Sequence, residues 1–242
     1  MWNKLLSPPL VYFYLLLGTI ASTLIGFALG NQFVLPVLQI AISYPVLYSL
    51  LSQKLRNRAF AAMLFWALCM GTVTVTASMQ DLAQAGKSII HGPAYVQEMF
   101  HWIQTGEGAE GNPIQFAPQH LLHFVLFAVL SLLTGSILSL LMGAMLMNYM
   151  SFYVASVIHA SHDKLLAALM GWHPWSIIRV ASFVLLGVIL AEPMICKIKK
   201  LDYEYASARR YYWMALHGLV LDVILKTLLA PWWGLTLRKL LF

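Results

Sequence analysis

Residues 5–53 read LLSPPLVYFYLLLGTIASTLIGFALGNQFVLPVLQIAISYPVLYSLLSQ, about fifty positions without one Asp, Glu, Lys or Arg. A second uncharged run extends from Gly111 to His162. Water-soluble folds do not keep such lengths free of charge. The interior of a bilayer demands it, because a charge at its centre costs roughly 2.5–3.5 kcal/mol even on lenient insertion scales. The chain therefore reads as an all-α, polytopic integral membrane helical bundle, a single transmembrane domain over residues 1–242. Composition agrees: 60% hydrophobic residues, 10% charged residues and a mean hydropathy of +0.75 leave little soluble mass.

Hydrophobic runs predict spans at 10–29, 33–52, 59–79, 176–196 and 211–230, with a longer block over 119–160. All are expected to be helical, since a helix satisfies its own backbone groups in lipid. At 1.5 Å per residue the block would be ~63 Å long against a hydrocarbon core of about 30 Å, so it folds as a hairpin. A turn at Thr134-Gly135-Ser136 is preferred to one near Asn148, because it leaves the polar run His159–Lys164 at a membrane surface. The count is then about seven spans, with six the alternative.

Basic residues set the expected orientation. Lys54, Arg56 and Arg58 lie between the second and third spans, and Lys197, Lys199, Lys200, Arg209 and Arg210 between the sixth and seventh, whereas segment 80–118 holds only Lys87. The positive-inside rule places both basic loops in the cytoplasm, the amino terminus with them, and 80–118 outside. The chain is accordingly read as a protein of a prokaryotic cytoplasmic (inner) membrane. Lys4 followed by an apolar stretch resembles a signal peptide in outline, but its length favours an uncleaved first span. Arg238 and Lys239 fall on the outer side, and Pro231-Trp232-Trp233-Gly234 is expected to break the last helix so that the tail lies in an interface.

The net charge of +6 comes from clusters between apolar runs, which points to anionic membrane lipids as partners and not to nucleic acid. Cys69 and Cys196 provide no disulfide framework. Ser22, Gly26 and Gly30 form a small-residue stripe that lets another helix approach, within the chain or in a homo-oligomer or larger membrane complex. Segment 80–118 carries Tyr95, Phe100, Trp102 and Ile103 among polar residues, the pattern of a short amphipathic helix, followed by a turn at 105–113. It is either a lid over an outward-facing site or a solvated connector.

Two polar sets are candidates for chemistry. His120 and His123 open the fourth span on one helix face, and His159, His162 and Asp163 share another face near the end of the fifth. With the hairpin turn at 134–136 all five approach the outer headgroup level, in the layer of His91, His101 and His173. Imidazole and carboxylate at this spacing suit a divalent transition metal (zinc, iron or copper), with His159, His162 and Asp163 also acid–base candidates. Bis-histidine haem between spans is a weaker option. The second set, Glu192, His217, Asp222 and Lys226, lies within the membrane and suits coupling in a transporter or packing in a membrane complex. Asp222 and Lys226 are spaced for an intrahelical pair, and Arg179 for a pair with Asp163 or for holding a lipid phosphate.

The run Leu221-Asp222-Val223-Ile224-Leu225-Lys226 resembles the last helix of microbial rhodopsins, where an Asp four residues before a Lys flanks the retinal Schiff base. The resemblance covers six residues. The family's acidic counter-ion on the third helix has no equivalent in Ala59–Met79, and Ser182–Ala191 offers only Phe183 toward an aromatic cage. No Walker loop, dinucleotide-binding glycine pattern, Gly-x-Ser-x-Gly elbow or His-Glu-x-x-His is present. The leading expectation is a membrane-embedded, metal-dependent enzyme with an outward-facing His/Asp site acting on a lipid-phase or interfacial substrate. The alternative is a transporter or a non-catalytic subunit using the intramembrane charges.

Overall fold

The computed structural model describes residues 7–242. Among them are ten helices and no strand. Seven are long and apolar enough to cross a membrane: α1 (Pro8–Leu29), α2 (Val34–Ser52), α3 (Arg56–Gln80), α6 (Pro113–Thr134), α7 (Ile137–Ala160), α9 (Pro174–Lys199) and α10 (Tyr205–Leu241). Three shorter helices, α4 (Leu82–Ser88), α5 (Gly92–Thr105) and α8 (Lys164–Gly171), lie at the end of the bundle opposite the basic loops. Segment 80–118 thus contains α4, α5 and the start of α6.

Local chemistry sets the boundaries. Gly135 and Ser136 both adopt left-handed backbone (φ 56° and 71°), a conformation glycine enters without a Cβ penalty, and together they turn α6 into α7 where the sequence places the hairpin. Ser136 Oγ donates to the carbonyl of Gly187 at 2.7 Å, pinning the turn against α9. Asn112 and Asp163 accept from backbone N–H groups in the first turns of α6 and α8, and Pro113 and Pro174 sit where a missing N–H costs nothing.

α7 is central, packing against α2, α3, α6 and α9 within the bundle and against α5 and α8 at its far end. Its buried Asn148 exchanges two hydrogen bonds with Gln39 of α2, at 2.8 and 3.1 Å, and accepts one from Thr74 of α3. The small-residue stripe of α1 is used within the chain: a Cβ on Gly26 would lie 2.9 Å from Leu35 of α2. At the basic end Arg56 Nε meets Glu192 Oε2 at 2.6 Å, tying α3 to α9.

One expectation is overturned at the carboxyl terminus. The helix does not break at Pro231 but continues to Leu241, giving 37 residues, about 55 Å at 1.5 Å each. Tertiary contacts compensate for the proline. Trp233 Nε1 donates to the Met170 carbonyl (2.8 Å), Arg238 Nε to the Ile103 carbonyl (2.8 Å), and Gly234 lets Trp102 of α5 lie against the helix. The final turns of α10 therefore brace α5 and α8 above the bundle.

Candidate functional site

α5 is amphipathic as its sequence suggests, with Met99, Trp102 and Ile103 buried against α7 and α10. With the turn Gly108–Glu110 it roofs a cavity of about 600 Å³ whose walls are α3, α6, α7 and α9. Along α9 the lining runs from Ser176 to Val188, a depth of about 18 Å, more than half of a ~30 Å hydrocarbon core. The two ends differ in chemistry. His120, His123, Arg179, Glu110 and Lys226 lie beneath the roof; Met63, Met70, Leu140 and Val188 line the depth. Trp66 lines the deep part at 4% exposure, and its indole N–H has no hydrogen-bond partner among the described residues.

The polar end is built from two partly buried ion pairs. Arg179 of α9 grips Asp222 of α10 in a bidentate contact, Nε to Oδ2 at 2.8 Å and Nη2 to Oδ1 at 2.9 Å. Lys226, one turn along α10, donates to Glu110 Oε2 at 2.7 Å and lies 4.3 Å from the centre of the Phe116 ring. Glu110 Oε1 also accepts from the Trp175 indole at 3.1 Å. Asp222 and Lys226 do not pair with each other, as their spacing suggests; each finds an off-helix partner. Arg179 takes Asp222, not Asp163, because the guanidinium fork fits that carboxylate at close range.

His120 of α6 completes the group. Its Nδ1 lies 3.4 Å from Asp222 Oδ2, an ion-pair distance without the geometry of a formed hydrogen bond, and among the described residues that nitrogen has no other partner. His173 is buried in the loop before α9, stacked on Trp175 (4.7 Å between ring centres, 19° between planes), with Nε2 3.3 Å from the Tyr153 hydroxyl. Burial pushes the His173 ring down to about 4, with Lys226 and Arg179 adding to the effect and Glu110 opposing it. Burial alone would raise the Glu110 carboxyl; Lys226, His173 and Arg179 outweigh it and hold the group at about 2.

The residues singled out from the sequence distribute unevenly. His120 and His123 line the cavity. His159, His162 and Asp163 are exposed at the turn between α7 and α8, where the Asp163 carboxylate caps α8 and the His159 carbonyl accepts from Lys164. Among the described residues no group of three or more His, Cys, Asp or Glu is placed to hold a metal ion, and the five expected ligands do not gather. His159 and His162 are not among the residues that line the cavity. The second set also divides. Glu192 is bound to Arg56 at the basic end, His217 is exposed and stacks on Trp213, Lys226 lines the cavity, and Asp222 stands behind Arg179, which also lines it. Glu110, Arg179 and His173 complete the site. Glu110 sits in a Gly-rich turn with no local signal, and its partner Lys226 is 116 positions away.

Comparison with known protein families, curated proteins and solved structures finds no match.

Proposed function

We propose that the protein is a membrane-embedded enzyme that performs acid–base chemistry on the polar end of an amphiphile held with its apolar part in the cavity. The observation that carries this reading is the juxtaposition of the His120–Asp222–Arg179 group with an apolar chamber about 18 Å deep. Ionisable residues are costly at this depth and usually mark a working site. With Nδ1 of His120 turned to Asp222, Nε2 is the nitrogen left for substrate. In this mechanism it accepts the proton of a hydroxyl or water nucleophile, and Asp222 stabilises the imidazolium that forms. Arg179 acts as a positioning residue, fixing the Asp222 carboxylate through both oxygens. Burial of the site beneath α5 limits competing water.

The basic loops are assigned to the cytoplasm and the polar mouth of the cavity to the opposite face, so the substrate head would lie at the outer leaflet. The test is to incubate purified protein with a total membrane lipid extract and follow lipid species by mass spectrometry. The wild type should consume at least one species, and His120→Ala and Asp222→Asn should slow that conversion by about 10²-fold or more, the range for removing a general base. No conversion by the wild type, or an unchanged rate in His120→Ala, would defeat the assignment.

A further inference from the structure

The polar end of the cavity is not electrically neutral from the viewpoint of a ligand. Among its charged lining residues are Arg179, Lys226, Glu98 and Glu110; Asp222 is not among them and stands behind Arg179. Lys226 and Glu110 satisfy each other, and Glu98 is exposed on the roof helix beside His91. Arg179 remains the cation with capacity to spare. Its Nε and Nη2 are spent on Asp222, whereas among the described residues Nη1 has no hydrogen-bond partner, and the side chain keeps a quarter of its surface accessible. His120 and His123, one turn apart on α6, line the same end; Nδ1 of His120 is turned to Asp222, so Nε2 is its nitrogen toward the cavity.

The guanidinium edge of Arg179 and the imidazole of His123, converging beside His120 on one end of an apolar chamber, define a receptor for an anion with several oxygens on an apolar chain. A carboxylate has two oxygens to share among these donors. A phosphate has three, and Arg is the side chain best matched to it. The apolar depth excludes a free inorganic ion as the sole occupant, since Met63, Met70, Leu140 and Val188 would face nothing that complements them. The unpartnered indole of Trp66 supplies one donor far from the head.

We infer that the cavity binds a phosphate-headed lipid, its phosphate between Arg179 and His123, within reach of His120, and its chain running between α3, α7 and α9 past Trp66. The inference rests on the reading of the cavity as an amphiphile site and adds the class of head group.

The test uses the full chain in maltoside micelles, which carry no phosphate, and measures binding of three probes: oleoyl lysophosphatidic acid, mono-oleoylglycerol and inorganic phosphate. The lysophosphatidic acid should bind about tenfold or more tightly than the glyceride with the same chain, the scale of one or two charge-assisted hydrogen bonds. Arg179→Gln should erase that preference. Because that change leaves Asp222 without its partner, Arg179→Gln/Asp222→Asn is made as well, and it should show the same loss of preference in a protein with no unpaired carboxylate. Gly143 lines the chamber with room for a Cβ, so Gly143→Phe should fill the apolar part and weaken both lipids alike. Equal binding of glyceride and lysophosphatidic acid would overturn the head-group assignment and leave the amphiphile reading intact. Inorganic phosphate displacing lysophosphatidic acid at comparable concentration would show the site to be one for free phosphate. If Gly143→Phe bound both lipids as the wild type does, the chamber itself would be refuted.

Discussion

Glu110→Gln isolates the contribution of the strap that closes the cavity. The carboxylate accepts from Lys226 and from the Trp175 indole, and the Lys226 side chain is only 3% exposed. The amide keeps the volume and one acceptor but removes the charge, leaving the ammonium beside the Phe116 ring without the carboxylate that neutralises it. The magnitude follows from the depression of the Glu110 carboxyl from an ordinary 4.5 to about 2. At about 1.4 kcal/mol per tenfold change in proton affinity this corresponds to roughly 3 kcal/mol, near the 3–5 kcal/mol lost when a buried pair loses one member. Because the carboxyl is depressed, its contribution is complete above pH 4.5 and fades as the pH falls toward 2. At pH 7 the substitution therefore removes all of it. Cys69 and Cys196 are both buried, so a thiol-reactive fluorophore reports unfolding directly. The unfolding midpoint should drop by roughly 6–12 °C, using about 2–4 °C per kcal/mol for a chain of this size. Glu110→Gln/Lys226→Met, which removes both charges, should recover at least half of that loss. A single variant within about 2 °C of wild type, or a double variant no better than the single, would show that the pair does not hold the roof in place.

Other consequences follow from the same geometry. Because the folded state keeps His173 neutral down to about 4 while the unfolded chain protonates near 6.5, stability should fall on acidification through that window; His173→Gln should flatten the difference in unfolding midpoint between pH 7.5 and pH 5. Asn148→Ala strands the Gln39 amide in the bundle and should cost about 1–3 kcal/mol in reversible unfolding, whereas Gln39→Leu/Asn148→Leu should be closer to wild type. His159→Ala and His162→Ala, at exposed positions, should change stability by less than about 0.5 kcal/mol and leave lipid conversion intact; loss of conversion would return the α7–α8 turn to the site. Lys87→Cys should react with a membrane-impermeant maleimide in intact cells, and Arg58→Cys only after permeabilisation; the opposite pattern would invert the assigned sidedness.

The parts of this molecule legible in its sequence are those governed by the solvent. Uncharged runs mark spans because the penalty for a charge in lipid acts on each residue independently of its neighbours, and the α6–α7 turn is visible because Gly135 meets a local backbone demand. Amphipathic α5 is visible for the same reason: its face is written within fourteen residues. The site obeys a different rule. Asp222 and Lys226 announce themselves as intramembrane charges, but which partner satisfies each is decided by packing between distant elements, and local spacing favoured the wrong answer. An intrahelical pair would leave Arg179 and Glu110 buried without counter-charges, whereas the cross-bonded arrangement settles four charges in two contacts. The same logic removes Pro231 as a helix terminator. A proline costs a hydrogen bond locally, and the contacts of Trp233, Gly234 and Arg238 with α5 and α8 offset it from segments 63 to 135 positions away. The histidines divide for a related reason. Equal spacing on a helix face is shared by residues at a cavity and residues at a solvated turn, and what separates His120 from His159 is its surroundings: α10 brings Asp222 to one, and the other is exposed with no ion pair among the described residues. A charge buried between helices thus carries its functional meaning in its partner, and the partner is a property of the fold.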